Sequence, residues 1–584
     1  MIMKLDLRRL TNKRIRRKHV RVPVLLGSIF LLVLAAAIVQ PASLAQPQRD
    51  RRVATSAPTP TPTPATRPIA PAPNAPRTLT ELQTRIGEIV RQPALEPGIF
   101  AVKIVSLDTG NVIFEQDASK FVRPASNMKL YTVAAALDRL TPDYHFITSV
   151  YAKEKPDKGT VKGDLIVYGR GDPSIAARFN NGDYFKGIND LADRIVAAGV
   201  KRVKGDLVGD ESFFIGAPLG SGWEWEDLQW SYGAQVSALT VNDNAIDLTV
   251  KPGEKVGAPV VITTGPPATS FMTISNHATT SARGSKSDLQ LYRGLGANTL
   301  EISGSVPLGD NGWTGSVAIP DPALAFVTML RDSLVKRGVK FDGRLRTVDA
   351  RSPDLIIPIQ LPNLKPLTIS GQLPAGQPAE PIVRPPLIVE IASLSSPPLS
   401  VIAAHTLKPS QNQYTELILR TIGKTFLLDG KAYTGELGRN SEEMGLLTVK
   451  DFLKQAGVGE NELGLSDGSG LSRNDLISAN ATVQLLTYMS KHRYFQTFYD
   501  ALPIAGVDGT LRTRMRGTPA EGNLRAKTGS LSSVASLSGY VTTAAGEHLV
   551  FSMMLNNYPD AGALRHDSID AIGILLASFA GKSQ

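Results

Sequence analysis

Ser126-Asn127-Met128-Lys129 places a hydroxyl and an amine three residues apart, at the head of an apolar run, LYTVAAALDRL, that reads as a helix. On a helix that step sets both side chains on one face, one turn apart. A lysine kept neutral by packing and nearby positive charge can take the serine's proton, so the pair reads as a nucleophile and its base. Ser333-Leu334-Val335-Lys336 repeats the pattern, but the charges of MLRDSLVKRG describe a surface helix, and it is read as a chance match. Lys527-Thr528-Gly529, followed by Ser530, offers a different function. A lysine and a hydroxyl at a sheet edge can clamp a carboxylate, and the glycine lets a substrate backbone come close. A Ser-x-Asn pair would relay a proton to the leaving amine and orient the lysine. Three stretches fit: Ser410-Gln411-Asn412, Ser472-Arg473-Asn474 and Ser478-Ala479-Asn480. Ser410 and Asn412 are preferred, because LKPSQNQ is a polar break between two apolar helical stretches, where both side chains can face a cleft.

Other chemistries have less to work with. The 584-residue chain holds no cysteine, which removes disulfides, thiolate nucleophiles and thiolate-bound metals. Its seven histidines are scattered without a metal-ligand spacing, so no metal or other cofactor is expected. The net charge of +10 raises the question of nucleic acid, and its location answers it. Nine Lys/Arg and one acid fall in residues 1–45, leaving 54 bases against 52 acids beyond Ala45. The surplus belongs to a leader and not to a binding face, so no nucleic-acid partner is expected. Residues 22–39, VPVLLGSIFLLVLAAAIV, follow that basic block without a charge, the order of an export signal. Two outcomes stay open: cleavage after the small residues around Ser43-Leu44-Ala45, or retention as a membrane anchor with the bulk outside. Either one is extracytoplasmic, periplasmic in a cell with an outer membrane.

The elements that must position these residues follow from the pattern. Residues 46–78 are rich in Pro, Thr and Ala and form a spacer. A helix is predicted at TELQTRIGEIV, then a hairpin turning at Asp108-Thr109-Gly110, then the Ser126 helix. Short strands dominate from about 150 to 350, and residues 351–386 are again Pro-rich. Helical signals run from Pro397 to about Arg493. Strands return at LRAKTGS, SSVASLSGYVTT and HLVFSMMLNNY before a closing helix. A sheet begun near residue 100 and finished near 550 implies one domain interrupted by an insert. The fold class expected is α/β in the broad sense (α+β): an antiparallel sheet with flanking helices around a large, mainly β insert. The expected divisions are 1–45 leader, 46–78 linker, 79–150 and 391–584 the two parts of the catalytic domain, and 151–390 the insert.

The order SxxK, SxN, KTG is the signature shared by penicillin-binding proteins and class A β-lactamases. From about residue 80 onward the chain closely resembles the class C low-molecular-mass penicillin-binding proteins, the D-Ala-D-Ala carboxypeptidase/endopeptidase family. The resemblance is carried by PASNMKL, GDLIVYGRGDPS, SGWEWEDLQWSYGAQVSALTVNDN, SSPPLSVI, SQNQYTELILRTIG, LSDGSGLSRNDLIS, LPIAGVDGTLRTRM and LRAKTGSL. It implies a transpeptidase-like fold of the serine β-lactamase and penicillin-binding type, acting on peptidoglycan stem peptides and acylated by β-lactams. It implies Ser126 as nucleophile, Lys129 as base, Ser410 and Asn412 as relay, and Lys527 with Thr528 as carboxylate clamp. The backbone N–H groups of Ser126 and Ser530 would form the oxyanion hole. Asp227, Tyr232 or Trp230, and Arg473 would recognise the free end of a diaminopimelate side chain, the acid meeting its ammonium and the arginine its carboxylate. Two departures stand out: Gln411 where the family usually has Asp, and the long Pro-rich stretch. A β-lactamase, or a non-catalytic wall-binding sensor on the same scaffold, are the alternatives.

Overall fold

The computed structural model describes residues 74–266, 272–352, 388–425, 440–558 and 564–583. The leader (1–45), nearly all of the spacer (46–78) and nearly all of the Pro-rich stretch 351–386 lie outside the described residues. Helix α1 (Leu79–Val90) starts under a Thr78 cap, whose Oγ1 accepts from the Glu81 N–H at 3.1 Å, and buries Leu82, Ile86 and Val90 along one stripe. Strands β1 (Ile99–Ser106) and β2 (Val112–Gln116) form the hairpin, with Gly110 at φ 79° where the turn needs a left-handed residue.

Near the other end of the chain run β3 (Arg525–Leu531), β4 (Val534–Thr542) and β5 (His548–Asn556). The five strands make one antiparallel sheet in the order β2-β1-β5-β4-β3. β1 lies against β5 along its whole length, from Ile99 opposite Asn556 to Ser106 opposite Leu549. That pairing closes the domain across everything between them, and it leaves β3, which carries Lys-Thr-Gly, at an edge.

Both faces of the sheet are covered, so β5 reads as a continuous apolar run, LVFSMML, and not as an alternation. Helices α2 (Met128–Leu140), α3 (Asn412–Thr425) and Ala479–Ser490 belong to the core on one face, where Val550 and Met554 of β5 point. Phe551, Met553 and Leu555 point the other way, toward α1 and helix α4 (Leu564–Ser578). α2 is buried on every side from Met128 to Leu137, which explains its all-round apolar sequence.

Strand Ile147–Ala152 pairs antiparallel with Val389–Ser395, and just before and after them the Ser396 N–H donates to the Phe146 carbonyl at 2.9 Å. These strands edge a second sheet ordered Leu345–Val348, Leu207–Asp210, Leu165–Tyr168, Ile147–Ala152, Val389–Ser395, the first three parallel. Helices Lys186–Ala197 and Pro322–Lys336 belong to the same core. Between Ala245 and Ala318 the described residues form short strands in small sheets. The spare Ser-x-x-Lys sits on the second of these helices. Its Ser333 hydroxyl is committed, donating to Asn189 Oδ1 and accepting from Arg337, both at 2.6 Å. No described helix is long and apolar enough to cross a membrane.

Candidate active site

Ser126 lies in a 3-10 turn, Ala125–Asn127, that runs into α2, and Lys129 stands in the first turn of that helix. The turn opens on Ala125 at φ 48°, a left-handed conformation that a non-glycine residue holds only when its surroundings fix it. What fixes it is β3 and β4: Ser536 Oγ donates to the Pro124 carbonyl at 2.8 Å, and Asn127 Nδ2 donates to Ser538 Oγ at 2.7 Å. Gly529 makes the approach possible. A Cβ there would stand 2.2 Å from Ser536 Oγ and 2.8 Å from the Pro124 carbonyl.

Lys129 is fully buried, and its Nζ donates to Ser126 Oγ (3.0 Å), Asn412 Oδ1 (2.7 Å) and the Ser469 carbonyl (2.6 Å). Were the amine neutral, the first contact would reverse and the Ser126 O–H would donate to it. Lys527 is equally buried and donates to Ser410 Oγ at 2.8 Å and to the Thr528 carbonyl at 2.7 Å. Ser410 precedes α3 at φ 63°, so the turns that carry Ser126 and Ser410 each contain a non-glycine residue in the left-handed region. Asn412 opens α3 and donates from Nδ2 to the Tyr232 carbonyl at 2.9 Å. Thr528 Oγ1 donates to Thr510 Oγ1 at 2.7 Å. Ser126, Lys129, Ser410, Asn412, Lys527, Thr528 and Gly529 are therefore brought together by these contacts, and Ser530 continues the β3 edge opposite Ala535.

The other two Ser-x-Asn stretches have local roles. Ser478 caps helix Ala479–Ser490, accepting from the Ala481 N–H at 2.9 Å, and Ser472 Oγ accepts from the Asn474 N–H at 3.2 Å.

Asp227 closes a short turn, Trp225–Asp227. Burial pushes its carboxyl up, Arg473 pulls it back down and Glu224 pushes it up again, while Tyr232 hydrogen-bonds it. Its Oδ2 is buried without a hydrogen-bond donor among the described residues, with the Arg473 guanidinium 3.9 Å away. Arg473 itself donates to Glu224 Oε2 at 2.8 Å. Trp230 packs instead on Trp313, ring centroids 6.2 Å apart.

Sequence reasoning missed four participants: Glu224, Thr510, the Ser469 carbonyl and Asp467. Asp467 sits in LSDGSGLSRND and organises the whole loop, accepting from the Gly470 N–H (2.6 Å), the Ser472 N–H (2.8 Å) and the Trp223 indole (2.9 Å). An Asp followed by Gly-Ser-Gly was a legible loop signal; that its Ser469 carbonyl would reach Lys129 was not.

A Ser-x-x-Lys at a helix start, a Ser-x-Asn turn and an edge-strand Lys-Thr-Gly brought together are the set found in penicillin-binding proteins and class A β-lactamases. Comparison with known proteins narrows the class. The D-Ala-D-Ala carboxypeptidase 3 (S13) family matches residues 82–358 and 385–577. The D-alanyl-D-alanine carboxypeptidase of Actinomadura sp. (strain R39) is 33% identical over 515 residues, 86% of each chain. The D-alanyl-D-alanine carboxypeptidase DacB of Haemophilus influenzae is 26% identical, covering 78% of this chain and 84% of that one. The crystal structure of penicillin binding protein 4 (dacB) from H. influenzae superposes with a TM-score of 0.67 at 23% identity, covering 84% of this chain and 97% of the other. The chain belongs to the D-Ala-D-Ala carboxypeptidase 3 (S13) family and is a serine-type hydrolase of that family.

Proposed function

We propose that the protein hydrolyses D-Ala-D-Ala amides of peptidoglycan stem peptides through an acyl enzyme on Ser126. The observation that carries the assignment is the Lys129 side-chain nitrogen, which touches Ser126 and, across 283 positions of sequence, Asn412. With Lys129 neutral, the Ser126 hydroxyl gives it a proton and attacks the carbonyl between the two alanines. The negative oxygen that forms is received by the N–H groups of Ser126 and Ser530. Lys527 and the Thr528 hydroxyl hold the terminal carboxylate, a charge-assisted contact that only a free C-terminus supplies. The Ser410 hydroxyl passes the proton to the departing amine, the C–N bond breaks, and terminal D-Ala or a cross-linked amine leaves. Water then adds to the ester, with the same groups acting in reverse.

Asp227, Tyr232 and Arg473 read the side chain on the other flank of the scissile bond. The buried, undonated Oδ2 of Asp227 suits an ammonium, and Arg473 suits a carboxylate that displaces Glu224. The substrate lies outside the cytoplasmic membrane, so the basic, apolar leader is assigned to export. A strained β-lactam amide offers the same carbonyl and leaves an ester whose amine cannot diffuse away.

Incubating the purified chain with labelled penicillin and with monomeric and cross-linked muropeptides tests this reading. A single label on Ser126, absent in Ser126→Ala, with release of D-Ala or of uncrosslinked peptides, is the expected result. A label that persists in Ser126→Ala refutes it.

A further inference from the structure

The insert also reaches the Ser410-Gln411-Asn412 turn. Its turn Asn242-Asp243-Asn244 holds three successive residues in the left-handed region, at φ 48°, 58° and 49°. Asn and Asp visit that region at the least cost among residues with a Cβ, yet a run of three persists only where the surroundings enforce it. The two asparagines supply the enforcement. Asn242 accepts from the Ala177 N–H and donates to the Tyr184 carbonyl, both at 3.0 Å. Asn244 accepts from the Val241 N–H at 3.1 Å and donates to the Gln235 carbonyl at 2.8 Å. Between them the Asp243 carboxylate meets both Arg178 of the insert and the catalytic domain.

That carboxylate receives Gln411 Nε2 at 2.9 Å, Arg178 at 2.9 Å and the Tyr414 hydroxyl. The neighbouring residues are held from the same side: Asn412 by the Tyr232 carbonyl, and Gln413 by Thr240 Oγ1 at 3.2 Å. Gln411, Asn412 and Gln413 are thus each bonded to the insert, directly after Ser410 in its left-handed conformation.

We propose that Asp243 is a positioning residue for the reaction. Through Gln411 and Tyr414 it fixes the Ser410-Gln411-Asn412 turn, so that the Ser410 hydroxyl meets Lys527 and the Asn412 carbonyl oxygen meets Lys129. The proposal rests on the functional reading above and deepens it. It also accounts for the glutamine at position 411: an amide can donate to Asp243, whereas a carboxylate there would face another carboxylate.

The test is a donor–acceptor exchange in the full chain, read as binding and acylation by a fluorescent penicillin. Gln411→Glu should lower the acylation rate constant about 30-fold, with the preceding dissociation constant moving less than about twofold. Adding Asp243→Asn restores a donor opposite the new carboxylate and should return the rate to within about threefold of wild type. Thermal midpoints are measured alongside, because a bracing role alone would move stability and leave the rate of the folded fraction unchanged. An unaltered rate in Gln411→Glu, or a double variant no faster than the single one, overturns the positioning role. Should the wild type itself acquire no label on Ser126, the functional reading falls and this proposal with it. A labelled wild type beside an unaffected Gln411→Glu overturns this proposal alone.

Discussion

Asn412→Asp adds one charge to the site while leaving its shape nearly intact. The present Oδ1 accepts from Lys129 Nζ at 2.7 Å. A full negative charge at that distance attracts an ammonium by about 6 kcal/mol at an effective dielectric near 20, a ceiling equivalent to ~4 pH units. Two effects subtract from it. The new carboxylate gives up hydration, and the oxygen replacing Nδ2 faces the Tyr232 carbonyl at 2.9 Å, where a donor stood before. An upward displacement of ~2 pH units in the acidic limb of acylation is the reasonable outcome, and near neutral pH the rate falls ~100-fold. The assay is the second-order rate constant for labelled penicillin between pH 6 and 10. Asn412→Ala is the control: it removes the orienting oxygen without adding charge, so its rate drops while the limb moves, if at all, to lower pH. If the Asp variant's limb coincides with that of the wild type, or the Ala variant displaces it equally, Lys129 is not the base.

Three further outcomes follow from packing and charge. Gly470→Ala would set a Cβ 1.8 Å from the Ala125 carbonyl oxygen, at a residue with φ 77°. It should displace the Ser469 carbonyl from Lys129 and cost ~100-fold in penicillin labelling of protein that circular dichroism still reports as folded. Ser333→Ala, in the second Ser-x-x-Lys, should leave labelling unchanged and lose ~1–2 kcal/mol in urea unfolding, since only its bonds to Asn189 and Arg337 go. Burial, with help from the charges of Asp321, Asp349 and Asp210, pushes the Glu211 carboxyl from 4.5 up to about 7. The folded state therefore holds this proton to higher pH than the unfolded chain, and the stability so conferred is full below pH 4.5 and lost as pH rises to 7, by up to ~3 kcal/mol. Glu211→Gln should remove that slope, melting above wild type at pH 8 and together with it near pH 4.5; equal slopes in both proteins would contradict this.

The periodic parts of the chain were readable because they answer to local rules. The hairpin turning at Asp108-Thr109-Gly110 and the closing helix lie where alternation and helical spacing put them, and HLVFSMMLNNY was legible as a strand, β5. Ser-x-x-Lys announced itself too, because one helical turn fixes how far apart its members stand. The rest depended on backbone conformations that residue types do not declare. Ala125 and Ser410 are not residues one would place at positive φ, and each holds that conformation only because distant chain closes on it: Ser536 bonds the Pro124 carbonyl beside the first, and the insert grips the residues after the second. Thr510, Glu224 and the Ser469 carbonyl escaped notice for the same reason, since their relevance exists only once residues hundreds of positions apart have met. Gln411 shows what such a departure can carry. Taken alone, it is a break in a familiar tripeptide. Opposite Asp243 it becomes one of three donors to a carboxylate on a left-handed turn, so the sequence oddity and the backbone oddity meet in one contact.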